Sequence, residues 1–290
     1  MITRLGIFLL WLLHFLPLAI LARIGNGLGL LLHTLASERR TVAAINLRLC
    51  FPDMPEAERN RMAKRAFQAF ARSFIERGIL WWSSSERIQS LIRVEGLEHY
   101  TGAQKQGPVI LLAPHFVGLD VGGSWLIQNV NLVSMYSPQK NRLFHDMLLH
   151  GRSRFGKQKL YARLQGLRPV IKAMRARHPF YYLPDQDLAI KDGVFVTFFG
   201  IPAATLTTVP RLAEMTGAKV VPCISKLLPD GQGYEVRFYP AWKDYPTGDV
   251  TADTQHMNAF IEDRVREMPE QYFWLHKRFK TRPEGEERFY

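Results

Sequence analysis

Cysteine is nearly absent from this chain of 290 residues: only Cys50 and Cys223 are present, far apart in sequence. That excludes a disulfide framework and a cysteine-built zinc cluster, and it fits a reducing, cytoplasm-facing location. Acidic residues are also few, 26 Asp and Glu against 38 Lys and Arg, which leaves a net charge of +12. Such an excess calls for an anionic partner: nucleic acid, an anionic membrane surface, a phosphorylated substrate or an acidic carrier protein. No internal repeat, low-complexity tract or long interdomain linker is visible. With 47% hydrophobic and 22% charged residues, the chain is neither disordered nor a polytopic membrane protein. Its length suits one large core, read here as one α/β domain with an attached helical segment.

Charge is missing altogether from residues 5–22, and again from residues 24–37 after Arg23. Eighteen helical residues rise roughly 27 Å, close to the hydrocarbon thickness of a bilayer. A cleaved signal peptide is disfavoured because no small-x-small site ends the run. A helix inserted in or across a membrane remains, and so does a helix lying in the interface, since His14, Pro17, Asn26 and the glycines Gly25, Gly27 and Gly29 interrupt a clean span. Arg23, Arg39 and Arg40 follow the run and Arg4 precedes it, which places the body on the cytoplasmic side. The chain is thus divided into a membrane-associated helical segment, 1–36, and an α/β domain with an N-terminal helical cap, 37–290.

Residues 37–84 carry a helical pattern, with Phe67, Phe70, Phe74 and Ile75 on one face and Arg59, Arg61, Lys64, Arg65 and Arg72 on others. The aromatic stripe is expected to dock the helix on the body. Trp81 and Trp82 suit either a membrane interface or a buried corner. Beyond Arg93, strands are expected at 109–113, 131–136, 180–183, 219–225 and 234–239, and helices at 118–129, 142–155, 167–177 and 207–216. Alternation of this kind implies a mostly parallel central sheet flanked by helices, with ligands at the carboxyl ends of the strands. His115, Ser137 and Asp185 all lie just past strand ends.

Val109-Ile110-Leu111-Leu112-Ala113-Pro114-His115 reads as a buried strand that delivers a histidine to a cleft, with Phe116-Val117-Gly118-Leu119-Asp120 turning into a helix. His115 and Asp120 would sit on different faces of one continuous helix, so they converge only if His115 is in the loop and Asp120 in the first helical turn. A carboxylate against one imidazole nitrogen leaves the other free to accept a proton, a general base for a substrate that brings its own hydroxyl. Backbone N–H groups of Val117 and Gly118 at the helix start are candidate oxyanion donors. The competing reading is that His115 caps the helix and Asp120 only favours its positive end.

Three further blocks stand out. Gln139-Lys140-Asn141 and Gly151-Arg152-Ser153-Arg154, with Lys157 and Lys159 beyond, offer guanidiniums for phosphate or else a solvated basic face. Leu183-Pro184-Asp185-Gln186-Asp187 is a poor metal site, and substrate orientation or turn chemistry is the better assignment for Asp185. The segment from Pro269 to Pro283 interleaves aromatics with Lys277, Arg278, Lys280 and Arg282, as nucleic-acid or anionic-lipid surfaces do. The uncharged start decides for lipid over nucleic acid.

These blocks resemble the bacterial lipid A late acyltransferases, the lauroyl and myristoyl transferases of the lysophospholipid acyltransferase superfamily. The resemblance covers nearly the whole chain. Its most specific part is Trp274-Leu275-His276-Lys277-Arg278-Phe279-Lys280-Thr281-Arg282-Pro283-Glu284-Gly285. Two departures are visible: Asp120 stands where the family often has Glu, and Tyr136-Ser137-Pro138 replaces Tyr-Arg-Pro, so an arginine contact is expected to move to Arg152 or Arg154. The resemblance implies an acyltransferase fold and transfer of a fatty acyl group from acyl carrier protein to a hydroxyl of a Kdo-bearing lipid A precursor at the inner membrane. No cofactor or metal is implied. It also implies that His115 and Asp120 are catalytic and that Arg152, Arg154, Asp185, Lys277, Arg278 and Lys280 bind substrate. The nearest alternative, a glycerophospholipid acyltransferase, would resemble a Glu-Gly-Thr-Arg block where this chain has Leu183-Pro184-Asp185-Gln186. A non-catalytic protein that binds anionic lipid is the alternative from another class.

Overall fold

A computed structural model describes residues 2–156, 158–188 and 193–290; Lys157, named above, lies outside them. The chain opens with α1 (Ile2–Leu13) and α2 (Leu18–Leu35), separated at Pro17, which lacks the N–H a continuous helix needs. Next come α3 (Ser37–Cys50) and the long α4 (Glu56–Trp82), which starts after Pro55 with Glu56 and Glu58 in its positive first turn. Gly25 and Gly29, one turn apart on α2, face α4 so closely that a Cβ on Gly25 would lie 2.7 Å from the Arg72 Cα. The glycines that interrupt the apolar run therefore allow two helix backbones to touch. Leu21 and Ala22 are buried in that contact, while Ile20, Ile24, Leu30, Leu31 and Leu35 remain exposed on the far side of α2.

The body follows as α5 (Ser85–Ser90), β1 (Ile92–Glu95), α6 (Leu97–Gln106), β2 (Val109–Leu112), α7 (Leu119–Asn129), β3 (Val133–Tyr136), α8 (Arg142–Ser153), β4 (Lys159–Ala162), α9 (Arg168–Arg175) and β5 (Phe180–Tyr182). It continues with the hairpin β6 (Gly193–Phe198) and β7 (Ile201–Leu206), then α10 (Thr208–Thr216), β8 (Lys219–Leu227), β9 (Tyr234–Phe238) and α11 (Val250–Glu267). Seven strands form one sheet in the order β1-β9-β8-β2-β5-β3-β4; all neighbours are parallel except β8 with β9. The mostly parallel sheet is as expected, and so is each of the five anticipated strands within a few residues. The reversal at β9 was not foreseen. It follows from a tight connection, Pro229–Gly231, too short for a crossover helix.

Strand β2 holds the centre. Ile110 and Leu112 enter one hydrophobic layer with residues of α3, α4, α9, α10 and α11. Val109, Leu111 and Ala113 enter the opposite layer with residues of α1, α2 and α5 to α8. Burial on both faces is why its sequence is an unbroken apolar run rather than an alternation. The aromatic stripe of α4 docks as anticipated: Phe67 is fully buried, Phe70 stacks on Phe273 and Phe74 stacks on Phe144. Trp81 takes the buried-corner option, packed against Gly151 of α8 where a Cβ would overlap the indole.

Candidate active site

Adjacent strands β2 and β5 end side by side, with the Ala113 N–H donating to the Tyr182 carbonyl at 2.9 Å. Beyond that rung, both chains turn at a proline, Pro114 and Pro184, and bring His115 to Asp185. The His115 Nδ1 lies 2.7 Å from the Asp185 Oδ1, and the same carboxylate accepts the His115 backbone N–H at 2.9 and 3.1 Å. Asp185 is fully buried. Burial alone would raise its pKa, but the His115 ring, the hydrogen bonds from His115 and the nearby Arg278 together lower it. An ionised carboxylate only accepts, so Nδ1 carries the proton and Nε2 of the neutral ring keeps its lone pair.

The expected pairing of His115 with Asp120 is therefore corrected. Asp120 sits in the first turn of α7, as foreseen, but that turn aims its carboxylate at α4 and α8. It accepts from Arg77 Nε at 2.8 Å and from Arg152 Nη2 and Nε at 2.7 and 3.2 Å. Burial would raise the Asp120 pKa, yet the Arg152 and Arg77 guanidiniums outweigh it and hold the carboxyl well below the usual range. Val117 is corrected as an oxyanion donor too, because its N–H donates to the Gln271 carbonyl at 2.8 Å. Gly118 stands against the Ser225 backbone, where a Cβ would lie 3.0 Å from the carbonyl oxygen.

Among the basic residues, Arg152 is engaged by Asp120. Arg154 donates to the Leu80 and Ser83 carbonyls at 3.0 and 2.6 Å, satisfying the end of α4 rather than facing solvent. Arg278 is buried and donates to the Ala204 carbonyl and Thr205 Oγ1, both at 3.0 Å, with its guanidinium over the Phe198 ring. It anchors the β6-β7 hairpin, since a buried guanidinium must spend its donors on protein oxygens. Lys277 lies 3.7 Å from Glu38 at the surface, and Lys280 is exposed. Ser137 is exposed beyond β3.

The C-terminal segment straps the site. Phe116 and Tyr272 form a β-bridge, the Phe273 N–H donates to the His115 carbonyl at 3.1 Å, and Asn46 Nδ2 donates to the Trp274 and His276 carbonyls, each at 2.8 Å. Asp187 accepts from Thr281, and its own N–H donates to His276 Nε2 at 3.1 Å. Under the strap is a hollow of about 10 Å³, lined among others by Asn46, His115, Asp185, Tyr272, His276 and Arg278. That is the space of about one water molecule. Burial, then His115 and Arg278, push the His276 pKa down to about 4. Sequence reasoning missed Asn46 and Arg77, and it read the segment that carries Gln271 and Tyr272 as a surface for anionic lipid rather than as a strap over His115.

The model of the bacterial lipid A biosynthesis acyltransferases matches residues 1–281. The chain belongs to this family. It is 36% identical over 287 residues to the lipid A biosynthesis lauroyltransferase of Escherichia coli (strain K12), covering 98% of this chain and 93% of that protein. It is 31% identical over 291 residues to the palmitoleoyltransferase of the same strain, covering 100% and 94%. The corresponding figures for the myristoyltransferase of that strain are 33% over 271 residues, 92% and 82%. The match begins at the apolar start and takes in His115, Asp120, Asp185 and the strap. Among the described residues, the lining of the hollow holds two histidines and no serine, threonine or cysteine. Both cysteines are buried, and burial pushes their thiols far up, so neither supplies a nucleophile at neutral pH.

Proposed function

We propose that this acyltransferase moves a fatty acyl group from the thioester of acyl carrier protein to a hydroxyl of a Kdo-bearing lipid A precursor at the cytoplasmic face of the inner membrane. His115 is the general base and needs no cofactor. The observation that carries the reading is the His115 ring tethered through Nδ1 to a buried carboxylate, with the ring lining a hollow under the strap. As the acceptor oxygen forms its bond to the thioester carbon, its proton passes to Nε2. When the C–S bond breaks, that proton leaves with the carrier's thiol. Asp185 is a positioning residue that also stabilises the charged ring, the part assigned from sequence to Asp120. The Arg77–Asp120–Arg152 cluster keeps one net positive charge between α4, α7 and α8, and with half-buried Lys277 and exposed Lys280 it suits phosphates of the acceptor.

The test uses purified protein, acyl carrier proteins loaded with chains of several lengths and a tetra-acylated lipid A precursor, with products read by mass spectrometry. Turnover of His115→Ala is expected to fall by about 10²–10⁴-fold, the usual contribution of a positioned base. Acylation of lysophosphatidate in place of the precursor would assign the chain to the glycerophospholipid reading. Near-normal turnover of His115→Ala, with the fold intact by circular dichroism, would remove the mechanism.

A further inference from the structure

The oxyanion donor expected from the backbone of Val117 is spent on Gln271, and a different group stands ready for that task. His276 shares the hollow with His115. Its Nε2 accepts the Asp187 backbone N–H at 3.1 Å, and a backbone amide can only donate. Nε2 therefore has no proton, and the neutral ring must carry its hydrogen on Nδ1. No hydrogen bond to that Nδ1 is made among the described residues. The Asp187 amide holds the ring, and Asn46 holds the backbone that carries it, donating to the His276 carbonyl at 2.8 Å.

We infer that His276 is a second catalytic residue, donating from Nδ1–H to the carbonyl oxygen of the acyl thioester as that oxygen becomes negative. The inference rests on the acyl-transfer reading above. In the addition step the acceptor oxygen bonds to the carbonyl carbon, its proton goes to His115 Nε2, and the carbonyl π pair moves onto the carbonyl oxygen. His276 Nδ1–H receives that oxygen. The pair then returns, the C–S bond breaks, and the sulfur leaves with the proton held by His115. A hollow the size of one water, between a base and a neutral donor, has the dimensions of a seat for one oxygen atom. A neutral imidazole is the right form of the group here. It stays a donor at working pH, because burial first, and the proximity of His115 and Arg278 after it, oppose its protonation.

Two substitutions separate this role from a structural one. Gln at 276 can place its amide oxygen near Nε2 and keep the Asp187 bond, but it leaves no donor at Nδ1; Asn can place an N–H near Nδ1 but cannot reach Asp187. Turnover is expected to fall by about 10²–10³-fold in His276→Gln, with the KM for acyl carrier protein little changed, whereas His276→Asn retains most of the activity. The reverse order, Gln active and Asn inactive, overturns the inference in favour of a structural role. Equal activity of His276→Gln and the parent chain overturns it while leaving the acyl-transfer reading standing, and a parent chain that acylates nothing overturns both. A measurement independent of turnover is the ¹⁵N spectrum of histidine-labelled full-length protein in detergent at pH 7, with the His276 signals assigned by their loss in His276→Gln. The Nδ1–H tautomer is expected; an Nε2–H or doubly protonated ring overturns the inference.

Discussion

A reading of the sequence pairs Asp120 with the imidazole and leaves Asp185 to the substrate, whereas in the structure Asp185 holds His115 and Asp120 holds two arginines. Asp185→Asn should therefore cut turnover sharply while changing stability little, since the amide keeps an oxygen for the backbone N–H of His115. Asp120→Asn removes the charge that pairs two guanidiniums, leaving Arg77 and Arg152 facing each other unneutralised. Discounted for the part-exposure of Arg152, the loss is about 2 kcal/mol, read as a fall of several degrees in melting temperature. Equal melting and unequal activity in the two variants, with Asp120→Asn the worse, would restore Asp120 as the orienting acid. His276 gives a pH signature of its own. Its folded pKa of about 4 lies below the ordinary 6.5, so the native state binds fewer protons than the unfolded chain. Its contribution to stability is complete above about pH 6.5 and is lost as the pH falls toward about 4. Chemical denaturation across that window should show a flatter pH dependence in His276→Gln than in the parent chain. His115 was legible because a buried strand, a proline and a histidine follow one another in seven residues. Its carboxylate was not, because Asp185 comes from a neighbouring strand 70 residues on.

Elements were legible in proportion to how much apolar surface they bury. Central strands β2, β5 and β8 announce themselves by unbroken apolar runs. The edge strands β1, Ile92-Arg93-Val94-Glu95, and β4, Lys159-Leu160-Tyr161-Ala162, carry charge and were missed. The β6-β7 hairpin was missed as well. It closes on Phe199 and Gly200, both with positive φ, and a phenylalanine is not the residue that signals such a turn. Helix α11 buries Asp253, Thr254 and Asn258 beside its apolar residues, which blurs the stripe that marks an amphipathic helix. The α2–α4 contact was misread in the most instructive way, since glycines taken as flaws in a span turn out to be the surface of contact. At Gly29 a Cβ would overlap the backbone around Gln68, and a rigid helix cannot move away locally. Gly29→Val should therefore destabilise the protein by about 1–3 kcal/mol, whereas Gly27→Val, at a position with nothing within 4 Å, should change melting by no more than the intrinsic helix preference. Similar melting temperatures for the two variants would mean that α2 is not packed as described.

At the scale of the molecule, most of the large apolar side chains exposed among the described residues lie on α1, the turn after it and the outer side of α2. Leu5, Phe8 and Leu12 of α1 are exposed at 58, 53 and 50%, and Ile24, Leu30, Leu31 and Leu35 continue the surface on α2. Such a patch on a folded body marks an interaction with an apolar phase. Among the described residues, helix α2 alone has the length and apolar character to cross a membrane, but its inner face is committed to α4, so its outer face is the side available to lipid. The turn between the helices is held by Arg87, which donates to the His14 and Leu16 carbonyls at 2.6 and 2.7 Å, tying the patch to the body rather than leaving it as a tether. Attachment of this kind is chiefly hydrophobic, so full-length protein should stay with the membrane fraction in high salt and leave it in detergent, with the +12 net charge adding only a salt-sensitive increment. Combined Leu5→Ser, Phe8→Ser and Leu12→Ser substitutions should shift the protein toward the supernatant without lowering its melting temperature, because those side chains contribute little to the core. Removal of residues 1–36 should instead destabilise the body, because it strips the α2 face from α4 and uncovers Phe67. Full-length protein found in the supernatant at low salt without detergent would end the membrane assignment.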